Sequence, residues 1–521
     1  MSMLVPRTAC FASIQSSNTM KTRSMAILIT MSLAVLLAAP ASGAEKRPVK
    51  PGIGEGNRGS LEDDMAIFNQ APHSDAVRKF FTSARQAFAE QPKGGLADIS
   101  ELLATADKDG LRMLGGPMLG TLAPDGIRVW VRTVKPAQVA VLVKIGDEER
   151  KFGPVASTAA SDLTAVVEVK GLQPDTRYPY RILMDGMPVD IPGEAIIRTA
   201  PVPGQAGQMK LAFGADFHKT GSLWVRPLLD TVRKRGNSAM LLLGDIASLD
   251  RNDRVGLQRS DYLLRDFSPA WRDLVASVPV YAAWDDHDYC NNDASGINAR
   301  FTAADRSAAR TMWMRNWNNP SYGSAKDGQG IFFRTRLGPC DVIMLDTRYF
   351  RLNRGEPDCF LGAEQMRWLE KELSSCTGPF VILTSGTMWS DYVSAGKDSW
   401  GVFDPAGRER IFSLIEEKRI GGVLLLSGDR HGARVMKIPR PSGFMFYEFE
   451  MGSLGACPGP AAMGSKPDLQ PFALGGKEAF GEFTFDTTVA DPTVTMRAVD
   501  PDGKELYQLT LKRSQMIPGG K

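Results

Sequence analysis

Hydrophobic positions recur with different periods in successive parts of the chain. Over residues 61–107 they have helical spacing. Over residues 114–199 the period changes to two, and Gly and Pro-Asp pairs interrupt it at short intervals. From Met209 onward, short continuous apolar runs alternate with helical stretches. This order predicts a helical segment, then an antiparallel β-domain, then an α/β domain.

The β-domain is predicted from three strictly alternating segments, which begin near Ile127, Val139 and Thr164. A segment from Gly171 to Tyr180 has the signature of a tyrosine corner, in which a tyrosine hydroxyl ties back a strand that crosses between two sheets. We therefore predict a small all-β, fibronectin type III-like domain over residues 111–200, followed by a short linker.

The α/β domain is predicted over residues 208–512. Continuous apolar runs are typical of strands that are covered on both faces of a sheet. A region of alternating pattern from Gly481 to Leu511 is expected to add strands that complete this domain. The apolar runs are Lys210–Gly214, Ala239–Leu243, Val278–Ala283, Val342–Leu345, Phe380–Leu383 and Val423–Leu426.

The first 44 residues have the order of a secretory signal peptide. Two basic residues precede an apolar run from Ala26 to Ala39, and small residues follow, with Ser42 and Ala44 at the places that signal peptidase requires. The run is short for a transmembrane helix, although a membrane anchor is the alternative. We expect an exported protein, periplasmic or secreted. Residues 45–110 are expected to form a leader and a helical segment without an evident function.

Composition and charge exclude several classes of protein. The chain has 521 residues, of which 43% are hydrophobic and 23% charged, so it is neither disordered nor collagen-like nor a coiled coil. The first 44 residues hold three of the 62 basic residues and no acid, so the remainder, with 59 acids, has no net charge. A neutral body argues against nucleic-acid binding. Beyond the first 44 residues no stretch reaches 18 apolar residues, so no membrane span is predicted in the mature chain.

Histidine and cysteine are scarce, which limits the kind of metal site. The chain has four histidines and six cysteines, so a bound metal must rely mainly on carboxylates. Five cysteines follow the predicted signal peptide. Because this number is odd, at least one cysteine is unpaired or none forms a bridge, and the pairing cannot be deduced from the sequence. These are Cys290, Cys340, Cys359, Cys376 and Cys457.

Acidic residues and histidines follow five of the apolar runs. Ligands of open α/β sheets bind at the carboxyl ends of the strands, so these side chains are expected to meet at one rim. Three of the four histidines belong to these strings. The strings are Asp216-Phe217-His218, Gly244-Asp245, Asp285-Asp286-His287-Asp288 with Asn291, Asp346-Thr347-Arg348 with Arg351, and Gly428-Asp429-Arg430-His431.

Each residue of these strings also has a structural interpretation. An aspartate after a strand is more often a helix cap or a turn residue, and Asp245 or Asp346 alone would be interpreted so. His73 lies outside the strings and is predicted to make a structural hydrogen bond. Several carboxylates at one rim repel one another unless cations lie between them. The five strings together therefore predict a site with two or more metal ions.

The strings resemble those of a known superfamily. Their order, Asp-x-His, Gly-Asp, Asp-His and Gly-Asp-x-His, is similar to the calcineurin-like metallophosphoesterases. The longer strings, from Trp284 to Asp288, from Leu345 to Arg348 and from Ser427 to His431, resemble the PhoD-like (alkaline phosphatase D) family. The resemblance covers about residues 112–512. It implies a metallophosphoesterase-type β-sandwich flanked by helices, preceded by the small all-β domain.

The resemblance implies roles for individual residues. Asp245 would bridge two metals, and His287 would donate a proton to the leaving group while Asp288 orients it. Arg348 would also belong to the catalytic group. The implied metal ligands are Asp216, His218, Asp245, Asp286, Asn291, Asp429 and His431. The implied phosphate-binding residues are Arg348, Arg351 and Arg430, because a planar guanidinium fork suits a tetrahedral anion.

Two positions depart from the pattern of the family. Relatives commonly have Cys where this chain has Asp216, and Tyr soon after the second motif, where this chain has Ser248. The resemblance suggests calcium and iron, although thiolate and phenolate, the ligands that favour ferric iron, are both missing at these positions. Carboxylate, amide and imidazole ligands suit manganese or calcium as well. The metal identity stays open among calcium, iron, manganese and zinc.

We expect an exported metal-dependent phosphatase or phosphodiesterase that uses a metal-activated hydroxide. Its substrate would be a small or polymeric phosphate monoester or diester. The alternative is a non-catalytic exported binding protein with a structural metal site. A structural site is normally saturated with ligands and has no need of His287 beside the metals, so the strings favour the enzyme.

Overall fold

The computed structural model describes residues 60–519 except for 192, 219–225, 248–249, 252–253, 297–300, 325–327, 392–398 and 456–465. The predicted signal peptide, Ser248 and Cys457 lie outside the described residues. All described residues belong to one unit, Lys50–Lys521. Among them, no helix is both long and apolar enough to cross a membrane.

The helical spacing of residues 61–107 corresponds to helices, as predicted. Serine caps begin the first two, because the Ser60 and Ser74 hydroxyls accept bonds from backbone N–H groups of the first turn. The apolar faces pack on a later helix, Val255–Phe267, where Phe80 and Phe81 make edge contacts with Phe267. The helices are α1 (Leu61–Phe68), α2 (Asp75–Glu90) and α3 (Ser100–Lys108), with a 3₁₀ turn at Leu96–Ile99.

Two antiparallel sheets form the all-β region. Their orders are β1-β2-β5 and β4-β3-β6-β7, and β8 also pairs with β6. The Tyr178 hydroxyl accepts a bond of 2.9 Å from the Gln173 backbone N–H, so the predicted tyrosine corner is confirmed. The strands are β1 (Met113–Ala123), β2 (Gly126–Thr133), β3 (Ala137–Ile145), β4 (Glu148–Ser157), β5 (Thr164–Lys170), β6 (Arg177–Met184), β7 (Met187–Val189) and β8 (Ile196–Arg198).

The remaining strands form two larger sheets, and every predicted apolar run contributes a strand. The six-stranded sheet has the order β11-β10-β9-β19-β20-β21, and the seven-stranded sheet β12-β13-β14-β15-β17-β16-β18. The strands are β9 (Gln208–Gly214), β10 (Ala239–Leu242), β11 (Val280–Ala282), β12 (Phe333–Leu337), β13 (Cys340–Met344), β14 (Phe380–Thr384), β15 (Val423–Ser427), β16 (Ala433–Pro439), β17 (Met445–Met451), β18 (Phe472–Leu474), β19 (Phe480–Asp486), β20 (Thr493–Val499) and β21 (Glu505–Lys512).

Helices cover the outer faces of these sheets. One layer, with Met366 and Ile411, packs on the seven-stranded sheet through alternate apolar residues such as Val381 and Leu425. The helices are α4 (Arg226–Lys234), α5 (Val255–Phe267), α6 (Pro269–Val275), α7 (Asp286–Tyr289), α8 (Ala303–Asn316), α9 (Gly362–Ser374), α10 (Trp400–Phe403) and α11 (Pro405–Glu417).

The inner faces of the two sheets pack against each other through aromatic side chains. Phe485 of β19 lies 5.0 Å from Phe380 of β14, and Phe483 lies 5.3 Å from Phe449 of β17, measured between ring centroids. All four rings are fully buried. The predicted β-sandwich flanked by helices is therefore confirmed, and the C-terminal strands complete it by pairing β19 with β9.

Candidate metal centre

The candidate site lies where parallel strands of both sheets end. In the first sheet β9, β10 and β11 are parallel neighbours, and in the second β13, β14 and β15 are. The residues that follow these strands are Asp216 and His218 after β9, Asp245 after β10, Asp285, Asp286 and His287 after β11, Asp346 after β13, and Asp429 and His431 after β15.

The chain turns sharply after β9, β10 and β15 through left-handed backbone conformations. Non-glycine residues adopt such conformations at a cost of about 1–3 kcal/mol, and they persist where the surroundings over-determine them. Here they direct successive side chains toward one point. Hydrogen bonds brace the first two turns, from Asp216 N to Gly244 O (3.1 Å) and from His218 N to Asp245 O (2.6 Å). The residues with positive φ are Asp216 (56°), His218 (50°), Asp245 (56°), Asp429 (76°) and His431 (46°).

Three groups of side chains could each hold a metal ion, and two of these groups share Asp286. Within each group the ligand atoms lie within 4.8 Å of one another. His218 Nε2 lies 3.6 Å from Asp245 Oδ2, and His431 Nε2 lies 3.7 Å from Asp216 Oδ1, too far for hydrogen bonds but suited to a shared cation. The groups are Asp216 with His218 and His431, Asp245 with Asp286 and His287, and Asp285 with Asp286 and Asp429. Six of the seven predicted ligands therefore meet.

Asn291 is the seventh predicted ligand. It is half-buried in the turn after α7, where its backbone carbonyl accepts a bond of 2.8 Å from Ala294 N.

The negative charges of the site are buried and close together. Burial raises the pKa of Asp216 well above its usual range, and the charges of Asp245 and Asp429 raise it further. Burial also raises the pKa of Asp245 to about 6 and that of Asp285 to about 7, although His287 and Arg348 respectively oppose the rise. Asp216 Oδ1 is buried and has no hydrogen-bond partner among the described residues. Oxygen donors in this state fit hard divalent cations.

His287 belongs to the second ligand group and is oriented by Asp250. Its Nδ1 lies 2.6 Å from Asp250 Oδ1, and its Nε2 lies 3.9 Å from Asp245 Oδ2. Burial lowers the pKa of His287, but the charges of Asp245 and Asp286 and the bond with Asp250 outweigh it and raise the pKa to about 11. The expectation that Asp288 orients His287 is wrong, because Asp250 makes that contact.

Asp288 instead fixes the turn that carries Asp245. Its Oδ1 accepts bonds from Ile246 N (3.0 Å) and Ala247 N (3.4 Å), and its Oδ2 accepts one from Asp285 N (3.3 Å). A buried carboxylate that binds three backbone N–H groups holds two strand ends together.

Arg348 is completely buried and grips a carboxylate. Its Nε and Nη2 donate to Asp285 Oδ1 (2.6 Å) and Oδ2 (2.9 Å), and its Nη2 lies 3.8 Å from Asp286 Oδ1. The planar fork of Arg348 therefore holds Asp285, a contact that the sequence did not predict. The pair fixes the orientation of a carboxylate in the third group.

The two other predicted phosphate-binding arginines differ in surroundings. Arg430 lies next to the site, with Nε 3.2 Å from Asp429 Oδ2, and its Nε and Nη2 make no hydrogen bond among the described residues. Arg351 is buried against Phe360 and Phe403, whose ring centroids lie 4.1 and 4.4 Å from its guanidinium carbon.

Asp346, which belongs to the strings, and His73, which does not, both have structural roles. Asp346 accepts bonds from Trp284 Nε1 (2.7 Å) and from three backbone N–H groups, so it acts as a turn residue and stays outside the three ligand groups. His73 Nε2 bonds to Phe68 O (2.9 Å) and its ring stacks on Phe68, which confirms its predicted structural role.

Two site residues were given no role in the sequence prediction. Asp250 lies five residues beyond Asp245 in an irregular connection, where neither a strand nor a helix period points to it. Asp285 stands next to Asp286 in the third string, and adjacency to a predicted ligand was the signal that could have identified it.

Comparison with known proteins agrees with this geometry. Residues 256–484 match the family model of PhoD-like phosphatases, and residues 111–198 match a domain of unknown function (DUF7800). Alkaline phosphatase D of Bacillus subtilis (strain 168) is 26% identical over 319 residues, which are 51% of this chain and 53% of the relative. The chain thus spans about half the length of this curated relative. The predicted resemblance to the PhoD-like family is confirmed.

Two solved structures resemble the chain in fold. A structure of PhoD has a TM-score of 0.64 and 18% sequence identity, covering 78% of this chain and 94% of that chain. The purple acid phosphatase PPD1 from yellow lupin (Lupinus luteus) seeds has a TM-score of 0.55 and 16% identity, covering 76% and 74%. At these identities the likeness concerns the fold, and it confirms the predicted fold class.

Gly244→Ala should disturb the site because the turn after β10 has no room for a side chain. Gly244 has φ +124°, and an added Cβ would collide with Cβ and the backbone of Asp285. Gly443→Ala is the matched control, since Gly443 also has positive φ (+85°) but an added Cβ there meets nothing within 4 Å. We expect Gly244→Ala to cost about 1–3 kcal/mol more in unfolding free energy than the control. Equal losses in denaturant titrations would contradict the crowding.

Divalent cations should stabilise the protein more at alkaline than at acidic pH. The pKa values of Asp245 and Asp285 are raised in the folded state, to about 6 and about 7. Ionisation of these two carboxyl groups therefore lowers the stability of the metal-free protein as pH rises from about 4 to about 7. The raised pKa of His287 acts with the same sign at higher pH. Cations that replace the protons remove this loss. The increase in unfolding temperature on metal addition should therefore be larger at pH 8.5 than at pH 5.5, and the reverse order would contradict the assignment.

Proposed function

We propose that this chain is an exported, metal-dependent phosphoesterase that hydrolyses phosphate monoesters, diesters or both. The observation that carries the proposal is the convergence of four buried aspartates and the half-buried Asp429 with three histidines at one end of the sandwich. The four buried aspartates are Asp216, Asp245, Asp285 and Asp286. Such a concentration of buried negative charge is unfavourable unless cations occupy it. The match to the PhoD-like phosphatase family supports phosphoester hydrolysis as the reaction.

The three ligand groups would hold two or more metal ions. Asp245 would be the bridging carboxylate, since it lies near both His218 and His287. When bound, the ions would supply polarisation of the phosphoryl group and activation of water. The remaining proposed ligands are Asp216, His218, Asp286, Asn291, Asp429 and His431. Calcium, iron, manganese and zinc are all candidates, because the donors are oxygen and imidazole nitrogen.

His287 is the proposed proton donor to the leaving oxygen. The contact with Asp250 fixes its ring by Nδ1, which leaves Nε2 directed toward the site. Asp288 would act indirectly, by holding the turn of Asp245.

Arg430 is the proposed phosphate-binding residue with the strongest support. It borders Asp429 and is partly exposed, whereas Arg348 is committed to Asp285. In this proposal Arg348 keeps Asp285 oriented and contributes positive potential to the site. Arg351, which packs against Phe360 and Phe403, is a further proposed phosphate-binding residue.

We also propose the remaining organisation of the chain from its sequence. Residues 1–44 would direct export, to a periplasmic or secreted location, and residues 45–110 would follow as leader and helical segment. Residues 111–200 would be the fibronectin type III-like domain and residues 208–512 the catalytic domain. The substrate is a small or polymeric phosphoester, and the balanced charge does not favour nucleic acid.

The proposal predicts ester hydrolysis that depends on divalent cations. Purified mature protein should hydrolyse a chromogenic phosphate monoester, the matching diester or both. Chelation should abolish the activity, and calcium, manganese, zinc or iron, added singly and in pairs, should restore it. Folded, metal-loaded protein that hydrolyses neither ester with any ion would contradict the proposal and favour a non-catalytic binding protein.

Asp245→Asn should abolish turnover without loss of the fold. We expect kcat to fall on the order of 10²–10³-fold or more, because the bridging carboxylate organises the electrostatics of the site. The chelated variant should be more stable than the chelated wild type above pH 7, since one buried negative charge is gone. Asp346→Asn is the matched control, because Asp346 also follows a strand. Loss of the Asp346 carboxylate should lower stability, since this group accepts four hydrogen bonds. Activity of Asp245→Asn near the wild-type level would contradict the bridging role.

A further inference from the structure

A chain of buried ion pairs joins the N-terminal helices to the candidate site. Asp64 of α1 accepts a hydrogen bond of 2.6 Å from Arg85 Nε of α2 and lies 3.3 Å from Arg251 Nη2. Arg251 grips Asp261 of α5 with two hydrogen bonds, of 2.8 and 2.7 Å. All four side chains are at most 3% exposed, so the network is part of the interior rather than the surface.

The far end of this network adjoins the residue that orients His287. Arg251 follows Asp250 directly, so their Cα atoms are about 3.8 Å apart and a shift of one moves the other. Asp250 has a left-handed backbone (φ 55°), and its backbone N–H donates to His287 O (3.3 Å). Its carboxylate lies 2.6 Å from His287 Nδ1. The backbone at this point is therefore held from one side by His287 and from the other by Arg251.

The arrangement is informative because ionic contacts are a costly way to join helices. Apolar side chains of similar volume would hold α1 and α2 on α5 at least as firmly, and they already do so around Phe80, Phe81 and Phe267. The planar guanidinium of an arginine makes two hydrogen bonds in fixed directions, and these also fix the backbone of that arginine. The direction fixed here is that of Asp250.

We propose that Asp64 and Arg251 are positioning residues for the pair Asp250–His287, and that the helical segment 61–108 is thereby a working part of the catalytic apparatus. The inference rests on the proposed function of His287 as proton donor. Loss of the contact between Asp64 and Arg251 would let Asp250 shift, and His287 would lose the orientation that directs Nε2 to the leaving oxygen.

A leaving-group series separates this role from a general loss of stability. Hydrolysis of an ester with a poor leaving group requires a proton from His287 on the leaving oxygen. A 4-nitrophenolate leaving group departs without a proton. In the mature chain, Asp64→Asn should lower kcat by about 10-fold or more for a phenyl ester and by less than about 3-fold for the 4-nitrophenyl ester. Should Asp64→Asn fail to fold, Arg251→Lys replaces it, since lysine keeps the charge and loses the fork.

Asp162→Asn is the matched control for the loss of a buried carboxylate. Asp162 is 4% exposed and pairs with Arg132 (2.9 Å) and Arg259 (3.0 Å), close to the same helices, but its described contacts do not include Asp250 or Arg251. The control should change the kcat of both esters by the same factor. In addition, Asp64→Asn introduced into Asp250→Asn should cause little further loss, because both changes act through one contact.

The outcomes distinguish this inference from the function on which it rests. Asp64→Asn that lowers both kcat values equally, as the control does, or that adds its full effect to Asp250→Asn, would overturn the positioning role and leave the proposed function intact. His287→Asn with an unchanged leaving-group dependence would overturn the role of His287, and the inference with it. A wild-type protein without activity on either ester would overturn the proposed function itself.

Discussion

Repulsion among buried carboxylates is the constraint on which the rest of the site depends. Five aspartates meet where two packed sheets end, and in the interior they repel one another unless protons or cations neutralise them. The surrounding structure opposes their separation. Arg348 holds Asp285, Asp288 ties the turn of Asp245 to Asp285, and a buried pair, Arg434 and Glu450, lies beside the turn of Gly452. A bound cation would therefore relieve the repulsion among these carboxylates.

The fold can resist this repulsion because each candidate ligand follows the end of a buried strand. The strands themselves are held by the aromatic interface between the sheets, in which Phe380 contacts Phe485 and Phe449 contacts Phe483. Short left-handed turns then place candidate ligands directly after β9, β10 and β15. Positions set in this way are reproducible to the small tolerances that catalysis requires.

The sequence predicted the elements well and the supporting contacts poorly. Strand ends and their acids are local features, so the rim of Asp216, Asp245, Asp286 and Asp429 followed from apolar runs alone. Partner choice is not local: whether Asp250 or Asp288 orients His287 depends on how residue 250, in an irregular connection, folds back over α7. Likewise Arg348 has a motif that suits phosphate, and only the fold places Asp285 within its fork. The helices at 61–108 were predicted, but their connection to the site through Arg251 links residues 187 positions apart.

Metal content of the folded protein tests the central claim most directly, because it does not depend on the choice of substrate. Mature protein equilibrated with calcium, iron, manganese and zinc, then dialysed, would be analysed by inductively coupled plasma mass spectrometry beside the Asp245→Asn variant. We expect at least two bound metal ions per wild-type chain and at least one fewer in the variant. A folded wild-type protein that retains less than one ion per chain would contradict this expectation.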